Sequence, residues 1–147
     1  MAKCLRPQES GAKSLSSRCQ LIVADLTQAV PAGADVYMLK SVLHGSRDAE
    51  AITILKNCRA VLAQNGTLLV IEFILPRLVS HADPELAGHL MSDLGMLTIT
   101  GGRERNELEW QTLLEAAAFR LARAYTVGCD ALMLGNVGIL EAKPVQG

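Results

Sequence analysis

The chain lacks any apolar run long enough to cross a bilayer. Its longest, Leu68–Leu75, is interrupted by Glu72, whereas a spanning helix needs roughly 20 residues. It also lacks an excess of charge of either sign: 14 Lys and Arg face 15 Asp and Glu across 147 residues, a net charge of -1. Binding nucleic acid through a basic face is therefore not expected. There is no CxxC pair. Cys4, Cys19, Cys58 and Cys129 lie far apart, which argues against a zinc or disulfide framework and for reduced thiols in the cytoplasm. Met1–Lys13 is polar with no apolar core, so no secretory signal is expected. Aromatic residues make up only 3%, and Trp110 and Phe119 are assigned to the core. Half of the chain is hydrophobic and its mean hydropathy is +0.24, which excludes a disordered segment. One globular domain is the expectation from length.

Residues 1–17 mix Lys, Arg, Gln, Ser and Gly without periodicity and read as a flexible leader. Leu21–Val23 and Val36–Leu39 are short apolar runs that read as buried strands, with turn chemistry at Pro31–Gly33 between them. Asp48–Ala63 has helical spacing, with Ile52, Leu55, Cys58 and Leu62 on one face, Ser46 as a cap and Asn65-Gly66 as the stop. Thr67–Ile74 is β-rich and apolar on both faces, as a central strand covered on both sides would be. Asp83-Pro84-Glu85 opens a helix carried by Leu86, Leu90, Leu94 and Leu97. Asn106 and Glu109 form a capping-box spacing for a helix through Ala117. Arg120–Val127 and Leu132–Ala142 read as a closing antiparallel hairpin. The alternation of strand and helix predicts an α/β open sheet, whose ligands sit at the carboxyl ends of the strands.

The residues at those ends carry the chemistry. His44 follows a strand and precedes a helix, where an imidazole serves as a general base; read alone, it is also an ordinary surface histidine. Glu72 lies inside an apolar strand, where an unpaired carboxylate is costly. Either a salt bridge to Lys40 or Arg103 satisfies it, or it orients a catalytic histidine. Glu104 stands in Gly101-Gly102-Arg103-Glu104-Arg105, a turn that delivers a polar side chain into a cleft or simply faces water. Arg103 and Arg105 are expected to be solvated, and Met91 and Met96 to be core. His81 and His89 have no Cys or carboxylate partners at ligand spacing, so no metal site is expected.

Four stretches in order carry a resemblance: Val30-Pro-Ala-Gly-Ala-Asp-Val-Tyr-Met-Leu-Lys-Ser-Val-Leu-His44, Ile54-Leu-Lys-Asn-Cys-Arg59, Asn65-Gly-Thr-Leu-Leu-Val-Ile-Glu72 and Gly101-Gly-Arg-Glu-Arg105. Together they resemble the catalytic domain of S-adenosylmethionine-dependent O-methyltransferases, the plant caffeate and acetylserotonin type with its bacterial polyketide-tailoring relatives. The resemblance implies a Rossmann-like class I sheet with helices on both faces and a C-terminal antiparallel hairpin. It implies His44 as general base, flanked by Glu72 and Glu104. Lys40, Asp25 and Leu26 are then expected at the S-adenosylmethionine site, and Asp93 and Met96 at a small hydroxylated acceptor. It further implies a partial domain over residues 18–147. The glycine-rich cofactor loop and the N-terminal dimerisation domain of that family are expected to be missing from this stretch, and His44-Gly45-Ser46 stands where the family reads His-Asp-Trp. Two readings follow. One is methyl transfer to a phenolic or polyketide-like hydroxyl; the other is an inactive remnant that self-associates or docks on a complementary or full-length methyltransferase chain. Gln20–Val23 is expected either to cover the open sheet edge or to be poorly ordered.

Overall fold

The structure, a computed structural model, describes residues 19–77, 86–127 and 137–145. The leader, the turn at Asp83–Glu85, His81 and the first part of the expected second hairpin strand lie outside these residues. Strand β1 (Val36–Lys40) leads through a single 3-10 turn, Leu43–Gly45, into helix α1 (Asp48–Val61) and strand β2 (Thr67–Leu75). Helix α2 (Leu86–Ile99), the two-residue strand β3 (Arg105–Asn106), helix α3 (Glu107–Ala116) and strands β4 (Phe119–Val127) and β5 (Val137–Pro144) complete it.

The sheet runs β1-β2-β5-β4. β1 and β2 are parallel, with Val36 beside Thr67 and Lys40 beside Ile71; a parallel pair needs a crossover, which α1 supplies. β5 inserts antiparallel between β2 and β4, pairing Leu68 with Ala142 and Phe119 with Pro144. The alternation in β2 sorts its side chains by face. Leu68, Val70 and Glu72 are buried, while Thr67, Leu69 and Ile71 are half-buried. Leu39, Leu140, Ala142 and Phe119 share the buried side and meet Ile54, Leu55 and Cys58 of α1 and Trp110, Leu113 and Leu114 of α3. Each fully buried leucine there contributes roughly 1.5–3 kcal/mol. The opposite face is more open: Val36 and Met38 are exposed.

Local signals were realised where they are self-contained. The capping box of α3 is complete, with Asn106 Oδ1 accepting from Glu109 N at 3.1 Å and Asn106 N donating to Glu109 Oε2 at 2.9 Å. α1 follows its predicted span, with Leu55, Cys58 and Leu62 buried. Its cap differs: Arg47 holds the N-cap position without a side-chain bond, because Ser46 is buried with its carbonyl turned to Arg105.

Two expectations based on apolarity are overturned. Leu21, Ile22 and Val23 form no strand and are exposed by 70%, 54% and 76%. They do not pair with β1, which pairs only with β2 among the described residues, and a strand without a neighbour has no ladder to join. On α2, Leu90, Met91, Leu94 and Leu97 face solvent instead of core. The helix turns inward the side bearing His89, buried against the Phe73 ring at 5.2 Å, and Ser92, Asp93 and Met96, half-buried. No helix among the described residues is long and apolar enough to cross a membrane.

Candidate active site

The carboxyl ends of β1 and β2 meet the 3-10 turn, and the turn carries His44. Glu72, on the buried face of β2, points its Oε1 at the start of this turn and accepts from Leu43 N at 2.8 Å, Val42 N at 3.0 Å and His44 N at 3.4 Å. A helical start leaves such donors without intrahelical partners, so the carboxylate caps the turn from another strand. The salt bridge to Lys40 or Arg103 considered for it is not made. Burial raises the Glu72 pKa above the usual carboxylate value, opposed by the His44 charge and the three N–H donors.

β3 brings the second carboxylate. Its pairing with the end of β2, Ile74 beside Arg105, sets Glu104 near Glu72. Gly102 permits this approach: a Cβ there would stand 2.1 Å from the His44 carbonyl oxygen, and Arg103 N donates to the same oxygen at 2.9 Å. Glu104 Oε1 lies 3.2 Å from His44 Nδ1, and Glu72 Oε2 lies 3.7 Å from the same nitrogen. Both acidic side chains are almost fully buried, while the imidazole is 21% exposed.

Two carboxylates on one ring nitrogen dictate its tautomer, because neither can donate when ionised. Nδ1 carries the proton and Nε2 keeps its lone pair for a ligand. The Glu104 hydrogen bond is the main cause that raises the His44 pKa above 6.5; burial and the Arg105 charge oppose it, and the charges of Glu72 and Glu104 reinforce it.

Arg105 fixes the turn from below. Expected in solvent, it is fully buried. Its Nη1 donates to Leu43 O at 3.1 Å, its Nη2 to Ser46 O and to Asp48 Oδ1 at 2.8 Å, and its Nε to Asp48 Oδ1 at 3.0 Å. Its guanidinium lies 5.1 Å from the Trp110 ring centre. These partners lie 57 to 62 residues away along the chain, so local charge patterning did not expose the role. Trp110 and Phe119 are core, as assigned. Arg103 remains partly exposed and pairs with Glu109 at 2.8 Å.

A cavity of about 140 Å³ opens onto His44, Glu72 and Glu104, rimmed by Lys40, Ser41, Phe73 and Ser92. Lys40 thus joins the catalytic candidates, whereas Asp25 and Leu26 do not. The Asp25 carboxylate accepts from Thr27 N and Oγ1 at 2.9 and 2.7 Å, which holds its pKa below the usual value. Leu26 gives its carbonyl to Asn57 Nδ2 at 2.8 Å. Asp93 binds the site's own backbone, accepting from Glu104 N at 2.8 Å, and Met96 is not among the residues lining the cavity. Sequence reasoning missed Ser92, whose hydroxyl donates to Glu104 Oε1 at 2.9 Å; a lone serine on a helix carries no signal of its own.

Comparison with known proteins gives this arrangement its family. The family model described as the O-methyltransferase domain matches residues 7–120. O-demethylpuromycin-O-methyltransferase of Streptomyces alboniger is 40% identical over 134 residues, covering 91% of this chain and 34% of the relative. The phenazine O-methyltransferase PhzM of Lysobacter antibioticus is 34% identical, covering 89% of this chain and 35% of the relative. Among solved structures, mitomycin 7-O-methyltransferase superimposes with a TM-score of 0.77 at 31% identity, covering 91% of this chain and 36% of that one. An O-methyltransferase from neocarzinostatin biosynthesis, solved with S-adenosyl-L-homocysteine and 1,4-dihydroxy-2-naphthoic acid, superimposes with a TM-score of 0.72 at 32% identity, covering 90% of this chain and 36% of that one. The chain therefore spans about a third of the length of the relatives it matches. With the family model matching residues 7–120 and a relative 40% identical across 91% of this chain, the chain belongs to the O-methyltransferase domain family.

Proposed function

We propose that this chain supplies the base-bearing part of an O-methyltransferase active site, with His44 removing the proton from a small phenolic or polyketide-like hydroxyl. The observation that carries the reading is the pair of buried carboxylates at 3.2 and 3.7 Å from one nitrogen of the ring. A phenol has a pKa near 10 and is a weak nucleophile at neutral pH. His44 Nε2 accepts its proton, and the resulting imidazolium is stabilised by Glu104 and Glu72, as an aspartate stabilises the histidine of a serine-hydrolase triad. Such base assistance contributes roughly 10²–10⁴-fold in rate.

The methyl donor fits these residues in part. Lys40 rims the cavity, and Asp25 and Leu26 offer a carboxylate and a half-buried apolar surface for an adenine. The space at His44, about 140 Å³, is smaller than the roughly 300–1,000 Å³ of ordinary ligand pockets. S-adenosylmethionine, when bound, supplies an electrophilic methyl group, and the described residues at His44 would face the acceptor's side of that encounter.

Methyl transfer from labelled S-adenosylmethionine to 1,4-dihydroxy-2-naphthoic acid tests this, beside calorimetric titration with S-adenosylhomocysteine. Turnover that falls about 100-fold or more in His44→Ala, with cofactor affinity unchanged, supports the base. Equal turnover by His44→Ala overturns it. Neither binding nor turnover by the wild-type chain overturns catalysis by these residues alone and leaves the second reading, docking on a complementary or full-length methyltransferase chain. The outer edge of β1, unpaired among the described residues, and the exposed Leu21–Val23 favour that reading, and sedimentation as a monomer with and without such a chain would sink it.

A further inference from the structure

Glu104 has to stay aimed at His44, and its own supports come from α2. Its backbone N–H is tied to Asp93. Its Oε2 is buried without a hydrogen-bond partner, so Oε1 carries the carboxylate's polar contacts: His44 Nδ1 on one side and the Ser92 hydroxyl on the other. Resting on the reading of His44 as the base, we propose that Ser92 is a positioning residue, which by donating to Oε1 holds the Glu104 carboxylate fixed against the imidazole.

The direction of that bond is set by chemistry, since an ionised carboxylate has no proton to give. Its existence also departs from the habit of this chain. Helical hydroxyls usually bond back to the carbonyl four residues earlier, and Thr53, Thr98 and Thr112 all do so, to Ala49, Leu94 and Leu108. Ser92 instead reaches off its helix to a side chain 12 residues on. A buried carboxylate that loses one of two donors is free to rotate toward another. That rotation weakens its hold on the imidazolium. The charged groups facing His44 are Glu72 from β2, Glu104 from the Gly101–Arg105 loop, Arg105 beneath the turn and Lys40 at the cavity rim; Ser92 touches only Glu104 among them.

The test is an NMR titration of the His44 ring in the intact chain, which needs no turnover. The three histidines are assigned with His44→Gln, His81→Gln and His89→Gln. Ser92→Ala is expected to lower the His44 midpoint by about half a pH unit or more, Glu104→Gln to lower it at least as far, and Ser92→Thr to restore it. Ser92→Cys keeps the volume with a weak donor and serves if the alanine variant fails to fold; it too is expected to lower the midpoint. A midpoint unmoved by both Ser92→Ala and Ser92→Cys, yet lowered by Glu104→Gln, overturns the role of Ser92 and leaves the base intact. A midpoint unmoved by Glu104→Gln as well overturns the pairing on which the proposal stands. Failure of His44 as base shows separately, as methyl transfer that survives His44→Ala.

Discussion

Arg105 holds the His44 turn at both ends, and replacing it by alanine measures how much of the site is that clamp. The variant takes a donor from the buried carbonyls of Leu43 and Ser46; Leu43 O keeps the Ser46 N–H at 3.1 Å, so Ser46 O bears the loss. An unpaired buried group costs about 1–3 kcal/mol, and losing the stack on Trp110 adds about 1–2 kcal/mol. Asp48 adds little, because its side chain is 49% exposed and regains water. Removing a buried charge also relieves its desolvation. The net loss expected is about 2–4 kcal/mol, a large share of the roughly 5–15 kcal/mol that holds a domain together. Urea unfolding followed by the fluorescence of Trp110, the one tryptophan in the chain, reads it directly. Arg105→Lys keeps the charge but loses the planar fork and is expected to fall between wild type and alanine. A loss below about 1 kcal/mol in Arg105→Ala, with the His44 ring resonances unmoved, would refute the clamp.

The raised His44 pKa makes a signed prediction for stability. A histidine whose folded pKa exceeds its unfolded value stabilises the fold fully below about 6.5 and loses that contribution as pH rises through the folded value. The stability difference between wild type and His44→Gln should therefore shrink as pH is raised from below 6.5 upward, and urea midpoints that keep a constant gap over that range would contradict it. Glycine substitutions separate close approach from propensity. Gly102→Ala forces a methyl against the His44 carbonyl oxygen and the Gly45 backbone and should destabilise by several kcal/mol while displacing the His44 resonances. Gly95→Ala, on α2 with nothing within 4 Å of the new methyl, should stabilise by about 0.5–1 kcal/mol, and thermal melts of the two variants moving in the same direction would count against this account.

The residues that could be read from the sequence are those whose partners are near in sequence or whose pattern is complete in itself. The Asn106–Glu109 box, the face of α1 around Leu55 and Cys58 and the apolar run of β2 needed only local geometry. His44, Glu72 and Glu104, 28 and 60 residues apart, were placed together by resemblance, and the structure shows the contact. The misreadings share one cause, in that apolarity says a side chain prefers burial without saying that a partner exists. Leu21–Val23 has no neighbouring strand among the described residues, and α2 presents Leu90, Leu94 and Leu97 outward because its inward side carries His89, Ser92 and Asp93.

The sequence by itself determined most helices and strands of this chain and its sheet class, and through resemblance it singled out His44, Glu72 and Glu104. Tertiary structure alone decided what those side chains do: which oxygen of Glu72 caps the turn, that Glu104 shares one oxygen between His44 and Ser92, and that Arg105 is buried under the site instead of solvated. The physical reason is that hydrogen bonds and desolvation depend on distances of a few ångströms between residues many positions apart, and such distances exist only once β1, β2 and β3 are side by side.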